Sequence, residues 1–105
     1  MTQAEKDLFL KDLCARLPYG VKLDTLEGPQ ELDTRWLTIN MCNISSPYLP
    51  YLFPLSSMTE KQKIELTCII DSDYAQIDWY NKNHFDFRGL IEKGLAIDAT
   101  NLNIY

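Results

Sequence analysis

The chain predicts an α+β fold: an N-terminal helix, a small antiparallel sheet, a proline-rich extended crossing and a run of short C-terminal helices. Three observations carry this. Apolar residues recur at helical spacing over residues 2–17, the period shortens toward two between residues 21 and 44, and prolines at 47, 50 and 54 exclude a helix before capping signals return at Thr59. With 105 residues and no low-complexity run, residues 1–105 read as one domain around one core.

Thr2 and Glu5 form a capping box, in which each side chain satisfies the other's free backbone N–H. Leu10, Leu13, Cys14 and Leu17 then fall at i, i+3, i+4 and i+7, with Phe9 on the edge of the stripe and Lys6, Lys11 and Asp12 outside it. Pro18 ends the helix by pushing Leu17 out of helical geometry, and Tyr19-Gly20 turns the chain. Val21, Leu23 and Thr25 alternate with polar neighbours, Gly28-Pro29 breaks the run, and residues 35–41 offer a second β-favouring segment. Two antiparallel strands joined by a loop of about six to ten residues are expected there.

Residues 45–57, SSPYLPYLFPLSS, are expected to form an extended connector whose prolines exclude any central strand. Its apolar side chains suit packing across the sheet or first helix, with a partner-binding strip as the other reading. Thr59 with Gln62 opens a helix to about residue 69, although Ile64, Leu66, Cys68 and Ile70 also alternate as in a strand. Asp71, Ser72 and Asp73 supply a cap for a helix through about Lys82, with Tyr74, Ile77 and part of Tyr80 inward. Asp86 caps a last short helix from Phe87 to Lys93, with Leu90 and Ile91 inward. Gly94 suits the left-handed closing position, and Leu95 can pack back on Leu90. Residues after Ala96 carry no clear signal.

The formal charge is −5, and the ten Lys and Arg residues are scattered, which disfavours a track for a phosphate backbone and hence nucleic-acid binding. The acidic excess is equally dispersed and does not signal a nucleic-acid mimic. Charges every few residues in MTQAEKDLFLKDL leave no signal-peptide core, and no apolar run approaches membrane-spanning length, so a cytoplasmic protein is expected. Cys14, Cys42 and Cys68, odd in number and each in an apolar stretch, read as buried reduced thiols.

One histidine without CxxC or HxxxH spacing gives no metal cluster, and glycines 20, 28, 89 and 94 match no nucleotide-binding loop, so no cofactor is expected. His84, with Asp86 two residues on and Asp78 six before, is the one place for an acid–base pair, and it carries the alternative of a small hydrolase or transferase. Against it stands the commoner role of a lone histidine near a helix end, filling a half-buried slot.

The densest stretch is residues 77–94, IDWYNKNHFDFRGLIEKG. Trp79, His84, Phe85, Phe87 and Arg88, with Tyr48, Tyr51 and Phe53 on the proline-rich arm, are the candidates for binding an unknown protein partner. Aromatic clusters in small domains are also the usual material of cores. Arg88, in the first turn of a helix where the dipole disfavours a cation, requires a carboxylate such as Asp86 or Asp78. The leading functional expectation is therefore a non-enzymatic protein-binding module.

Three phrases, DLCARLPYGVK (residues 12–22), PYLFPLSSMTE (50–60) and IDWYNKNHFDFRGLIEKGLAID (77–98), resemble a family of small uncharacterised proteins of gut bacteria and their prophages or other mobile elements. Its members read DLCARLPYGVK, PYLRPMSSMTEEE and IDWLNAHHFDYRGLIEKGLA. The resemblance implies a cytoplasmic protein of bacterial or phage origin and brings no activity, cofactor or catalytic residue. Phe53 replaces the family's arginine and Asn83 its first histidine, which counts against an Arg-His or His-His pair here.

Overall fold

A computed structural model of the chain describes residues 1–69 and 73–105. Helix α1 spans Gln3–Arg16, and its capping box forms: the Thr2 hydroxyl accepts from Glu5 N at 3.1 Å and the Glu5 carboxylate from Thr2 N at 2.9 Å. The Thr2 amide donates to the charged carboxylate and so holds Glu5 below its usual range. Leu17 keeps helical geometry at φ −51° and ψ −43°, against the expectation that Pro18 pushes it out, and the chain tightens through Pro18 into one 3₁₀ turn, Leu17–Tyr19, which Gly20 closes at φ 70°. The buried stripe is Phe9, Asp12, Leu13 and Arg16, rotated from the predicted one, and Cys14 is exposed. The expected polar edge of α1 is buried because Asp12 and Arg16 neutralise each other one turn apart.

Of the two strands expected over residues 21–44, only the first forms as placed. Strand β1, Lys22–Thr25, pairs antiparallel with β2, Gly28–Glu31, across the two residues Leu26 and Glu27. Gly28 at φ 90° makes that tight connection possible, and the Thr25 hydroxyl braces it by donating to Gly28 O at 2.7 Å. Pro29 is tolerated in β2 because this two-stranded sheet leaves an edge that needs no donor. The predicted second strand is instead helix α2, Thr34–Cys42, capped by the Asp33 carboxylate on Trp36 N at 2.9 Å. Trp36 and Asn40, four residues apart, are its buried positions; cap and tertiary packing override the β propensity of Trp36, Thr38 and Ile39.

The proline-rich arm contains strand β3, Tyr51–Pro54, the centre of a three-stranded parallel sheet in which it pairs with β4, Phe85–Asp86, and β5, Ile97–Asp98. The expectation that its prolines exclude a central strand is thereby overturned. Pro50 and Pro54 flank the donors the sheet needs: Phe53 N donates to His84 O at 2.8 Å, and Pro50 only accepts, from Ile97 N at 2.9 Å. Asp24 N donates to Leu49 O at 2.9 Å and ties the hairpin to the arm. The Asn40 amide, fully buried, holds the arm from α2 by accepting from Tyr48 N and donating to Tyr48 O, both at 2.9 Å.

Helix α3, Glu60–Cys68, starts with the Thr59/Gln62 capping box and is helical where the alternating pattern had also allowed a strand. The cap expected at Asp71 and Ser72 lies outside the described residues. Helix α4, Asp73–Lys82, buries Trp79 and Asn81, whereas Tyr74, expected inward, is 83% exposed. No helix forms over residues 87–93. The Asp86 carboxylate does cap the turns that replace it, accepting from Leu90 N at 2.8 Å and Ile91 N at 2.9 Å, and Gly94 at φ 73° lets Leu95 N reach back to Leu90 O at 2.9 Å.

The core comprises Phe9, Leu13, Val21, Leu23, Leu32, Trp36, Leu52, Leu90, Leu95 and Ala96, drawn from both ends of the chain. Cys14, Cys42 and Cys68 are free thiols but all exposed, against the expectation of burial, because each stands on the outward side of its helix. Among the described residues no helix is long and apolar enough to cross a membrane.

Candidate functional site

Residues 79–92 sit where α4 runs into β4 and the capped turns, beside the proline-rich arm. Phe85, 2% exposed, stacks on Trp79 at 5.5 Å between ring centroids and meets Phe53 at 6.1 Å. Trp79 and Tyr51 are also buried, at 9% and 8% exposure. These three nominated residues belong to the core and offer no binding surface; their aromatic density reflects packing of α4 onto the sheet. Tyr48 and Phe53 are half-buried, Tyr48 against the Trp36 ring at 5.7 Å and Phe53 against Tyr105 at 5.7 Å.

Arg88 pairs with neither Asp86 nor Asp78. Its Nη1 donates to Asp12 Oδ1 at 2.6 Å, 76 residues upstream, while the other Asp12 oxygen accepts from Arg16 Nε at 2.7 Å. Arg16 Nη2 donates to Phe85 O at 2.6 Å, so one fully buried carboxylate and two guanidinium groups stitch α1 to β4. The Arg88 guanidinium lies 4.2 Å from the Phe87 ring centroid, and that ring stacks on Tyr80 at 5.2 Å.

His84 takes a left-handed φ of 62°, a conformation uncommon outside glycine, and its ring stacks on Tyr105 at 4.0 Å. The Tyr105 hydroxyl donates to Tyr51 O at 2.6 Å and accepts from Lys22 N at 2.8 Å; burial pushes its pKa up to about 12. Burial, with Arg16 and Lys22 nearby, pushes the His84 imidazole down to about 4, so it is neutral at neutral pH. Its Nδ1 is buried without a hydrogen-bond partner among the described residues. Asp86, the partner an acid–base reading requires, gives both oxygens to backbone amides, and Asp78 is exposed. The structure therefore does not assemble the His84–Asp86 pair; it builds a half-buried histidine slot.

A groove of about 400 Å³ lies between the end of β3 and the capped turns, walled by Pro54, Leu55 and Ser56 on one side and Phe87, Gly89, Ile91 and Glu92 on the other. Leu55 is 42% exposed, while Phe87 and Ile91 are half-buried. Leu55, Ile91 and Glu92 were not among the sequence candidates. The signal for Leu55 was its place immediately after the last proline of an apolar arm. Among the described residues no group of three or more His, Cys, Asp or Glu could hold a metal ion. No family profile, curated protein or solved structure matches this chain.

Proposed function

We propose that the protein is a non-enzymatic binding module, acting in the cytoplasm of a bacterium or of a phage-infected host, that docks another protein in the Leu55–Phe87–Ile91 groove. The observation that carries the reading is the pairing of exposed Leu55 with a Phe87 ring clamped between Tyr80 and Arg88, an apolar floor set before a partner arrives. A wall immobilised in advance loses little conformational entropy on binding. Glu92 on the rim and a net charge of −5 suit a partner segment that presents one or two apolar side chains beside a basic one.

The test is affinity capture from lysate of the native host, comparing wild type with Leu55→Asp and with Leu26→Asp at the hairpin tip, 92% exposed and remote in sequence. The expected result is a stoichiometric protein retained by wild type and Leu26→Asp and lost with Leu55→Asp. A partner kept by Leu55→Asp, or none held by wild type, removes this reading. Arg88→Ala is unsuitable as the probe because it strips the buried Asp12 of one of its two cations.

A further inference from the structure

One edge of β3 carries a fork. Pro50 O and Leu52 O accept from Ile97 N and Ala99 N on the β5 side, so Tyr51 and Phe53 turn their backbone groups to the opposite edge. Two strands share that edge. The antiparallel bridge between Leu23 and Pro50 sets Asp24 opposite Leu49 and Lys22 opposite Tyr51, while farther along Phe53 N donates to His84 O just ahead of β4. β1 and β4 therefore diverge between Tyr51 and Phe53, and the Tyr105 ring enters there.

Both ends of that ring are recognised. Asp24 N donates directly to Leu49 O at 2.9 Å, but at the next rung a hydroxyl stands between the strands: Lys22 N donates to Tyr105 Oη at 2.8 Å, and Oη donates to Tyr51 O at 2.6 Å. An oxygen that accepts once and donates once is what a phenol supplies. Burial raises the pKa of this hydroxyl to about 12 and so keeps it able to donate at neutral pH. The ring itself stacks on His84 at 4.0 Å with 12° between planes and meets Phe53 at 5.7 Å. Lys22 Nζ holds the adjoining backbone by donating to Ile104 O at 2.9 Å.

Little else holds the segment that delivers Tyr105. Ala99 is buried and anchored on Leu52 O, but residues 100–103 are all exposed, and Asn103 turns the chain at φ 51°. Their hydrogen bonds, from Thr100 to Asp98 and from Leu102 N to Ala99 O, are local. Engagement of the segment thus rests on residues 104 and 105.

We propose that the fork is a phenol-recognition site, filled in cis by residues 99–105 acting as a strap, and that it takes a free para-alkylphenol once the strap's own ring is removed. An engaged strap fixes the Lys22 end of the hairpin against β3. A bare ring is rejected because it leaves Lys22 N and Tyr51 O without the hydroxyl that joins them. The fork shares no residue with the Leu55 groove and stands or falls separately.

Amide hydrogen exchange at Lys22, followed by NMR on the whole chain, reads the rung directly. Wild type is expected to protect this amide, and Tyr105→Phe should speed its exchange about tenfold or more while Asp24 is unchanged. Tyr105→Ala empties the fork. There p-cresol, the tyrosine side chain as a free molecule, should saturably restore slow exchange at Lys22. Toluene, the phenylalanine counterpart, should bind at least about tenfold more weakly, and wild type should respond to neither. Lys22 exchange unchanged in Tyr105→Phe, p-cresol binding Tyr105→Ala no better than toluene, or wild type responding to p-cresol as Tyr105→Ala does, overturns the inference. If Tyr105→Ala does not fold, the exchange result for Tyr105→Phe decides alone, with circular dichroism checking that this variant folds.

Discussion

Two charged stretches of this protein meet opposite fates. In α1, Asp12 and Arg16 are fully buried and reach Arg88 and the Phe85 carbonyl at the far end of the chain; in α3, Glu60, Lys61, Lys63 and Glu65 stay in solvent with Ile64 among them. Both helices begin with the same Thr-capped box, and both carry i, i+3 or i, i+4 opposite charges. What separates them is the availability of a third charged group and a carbonyl from elsewhere in the fold. A buried carboxylate is tolerable when two guanidinium groups hydrogen-bond it, while an isolated surface pair contributes little. Local sequence thus makes either helix, and long-range chemistry decides which becomes structural.

The sharpest way to break this comparison is Asp12→Ala, which leaves Arg16 and Arg88 facing each other without an anion in a buried place. A loss of about 3–5 kcal/mol is expected, read as a fall in the urea midpoint. A loss below about 1 kcal/mol would mean the seam is no more structural than α3.

A smaller effect tests the lower end of the same seam through His84. Its folded-state pKa of about 4 lies below the ordinary value of about 6.5, so between these values the unfolded chain binds more protons than the folded one. The stability due to neutral His84 is present above about pH 6.5 and is lost as pH falls toward about 4. His84→Asn, which tolerates the left-handed backbone, should lose less stability than wild type across that window in thermal melts. Parallel pH profiles for the two proteins would show that the imidazole is free to ionise in the folded state.

The smallest effect belongs to α3. Ile64→Ser should change stability by no more than about 0.5 kcal/mol, as for surface positions generally. A loss of more than about 1 kcal/mol would place Ile64 in the intramolecular packing and erase the contrast between the helices.

What was legible in the sequence follows the range of the forces involved. Capping boxes at Thr2 and Thr59, the Asp86 cap and the reversal at Gly94 were readable because donor and acceptor lie within five residues, whereas Leu17 stays helical before Pro18 and the helix ends only through a 3₁₀ turn. Residues 34–42 misled because Trp36, Thr38 and Ile39 favour strands, and the Asp33 cap, with Asn40 holding Tyr48, outweighs that preference. At the candidate site the sequence singled out a segment that lines the groove but could not sort core from surface. Whether Phe85 is buried depends on Phe53, and whether Phe87 is clamped depends on Tyr80 and Arg88 being fixed by other elements. Leu55 was read only as part of the apolar arm and Ile91 as inward-facing, because a groove between two distant turns has no periodicity in either.

By itself, then, the sequence determined the α+β class, both capped helices that begin at Thr2 and Thr59, and the extended course of the proline-rich arm, all consequences of backbone sterics and local hydrogen bonds. Only the tertiary structure decided that the arm supplies the central strand of a parallel sheet, that Asp12 is the carboxylate Arg88 needs, and that α3 leaves Ile64 in solvent. Each of those depends on groups tens of residues apart meeting in low-dielectric or sheet-edge positions, where burial and partner geometry, rather than local propensity, set the free energy.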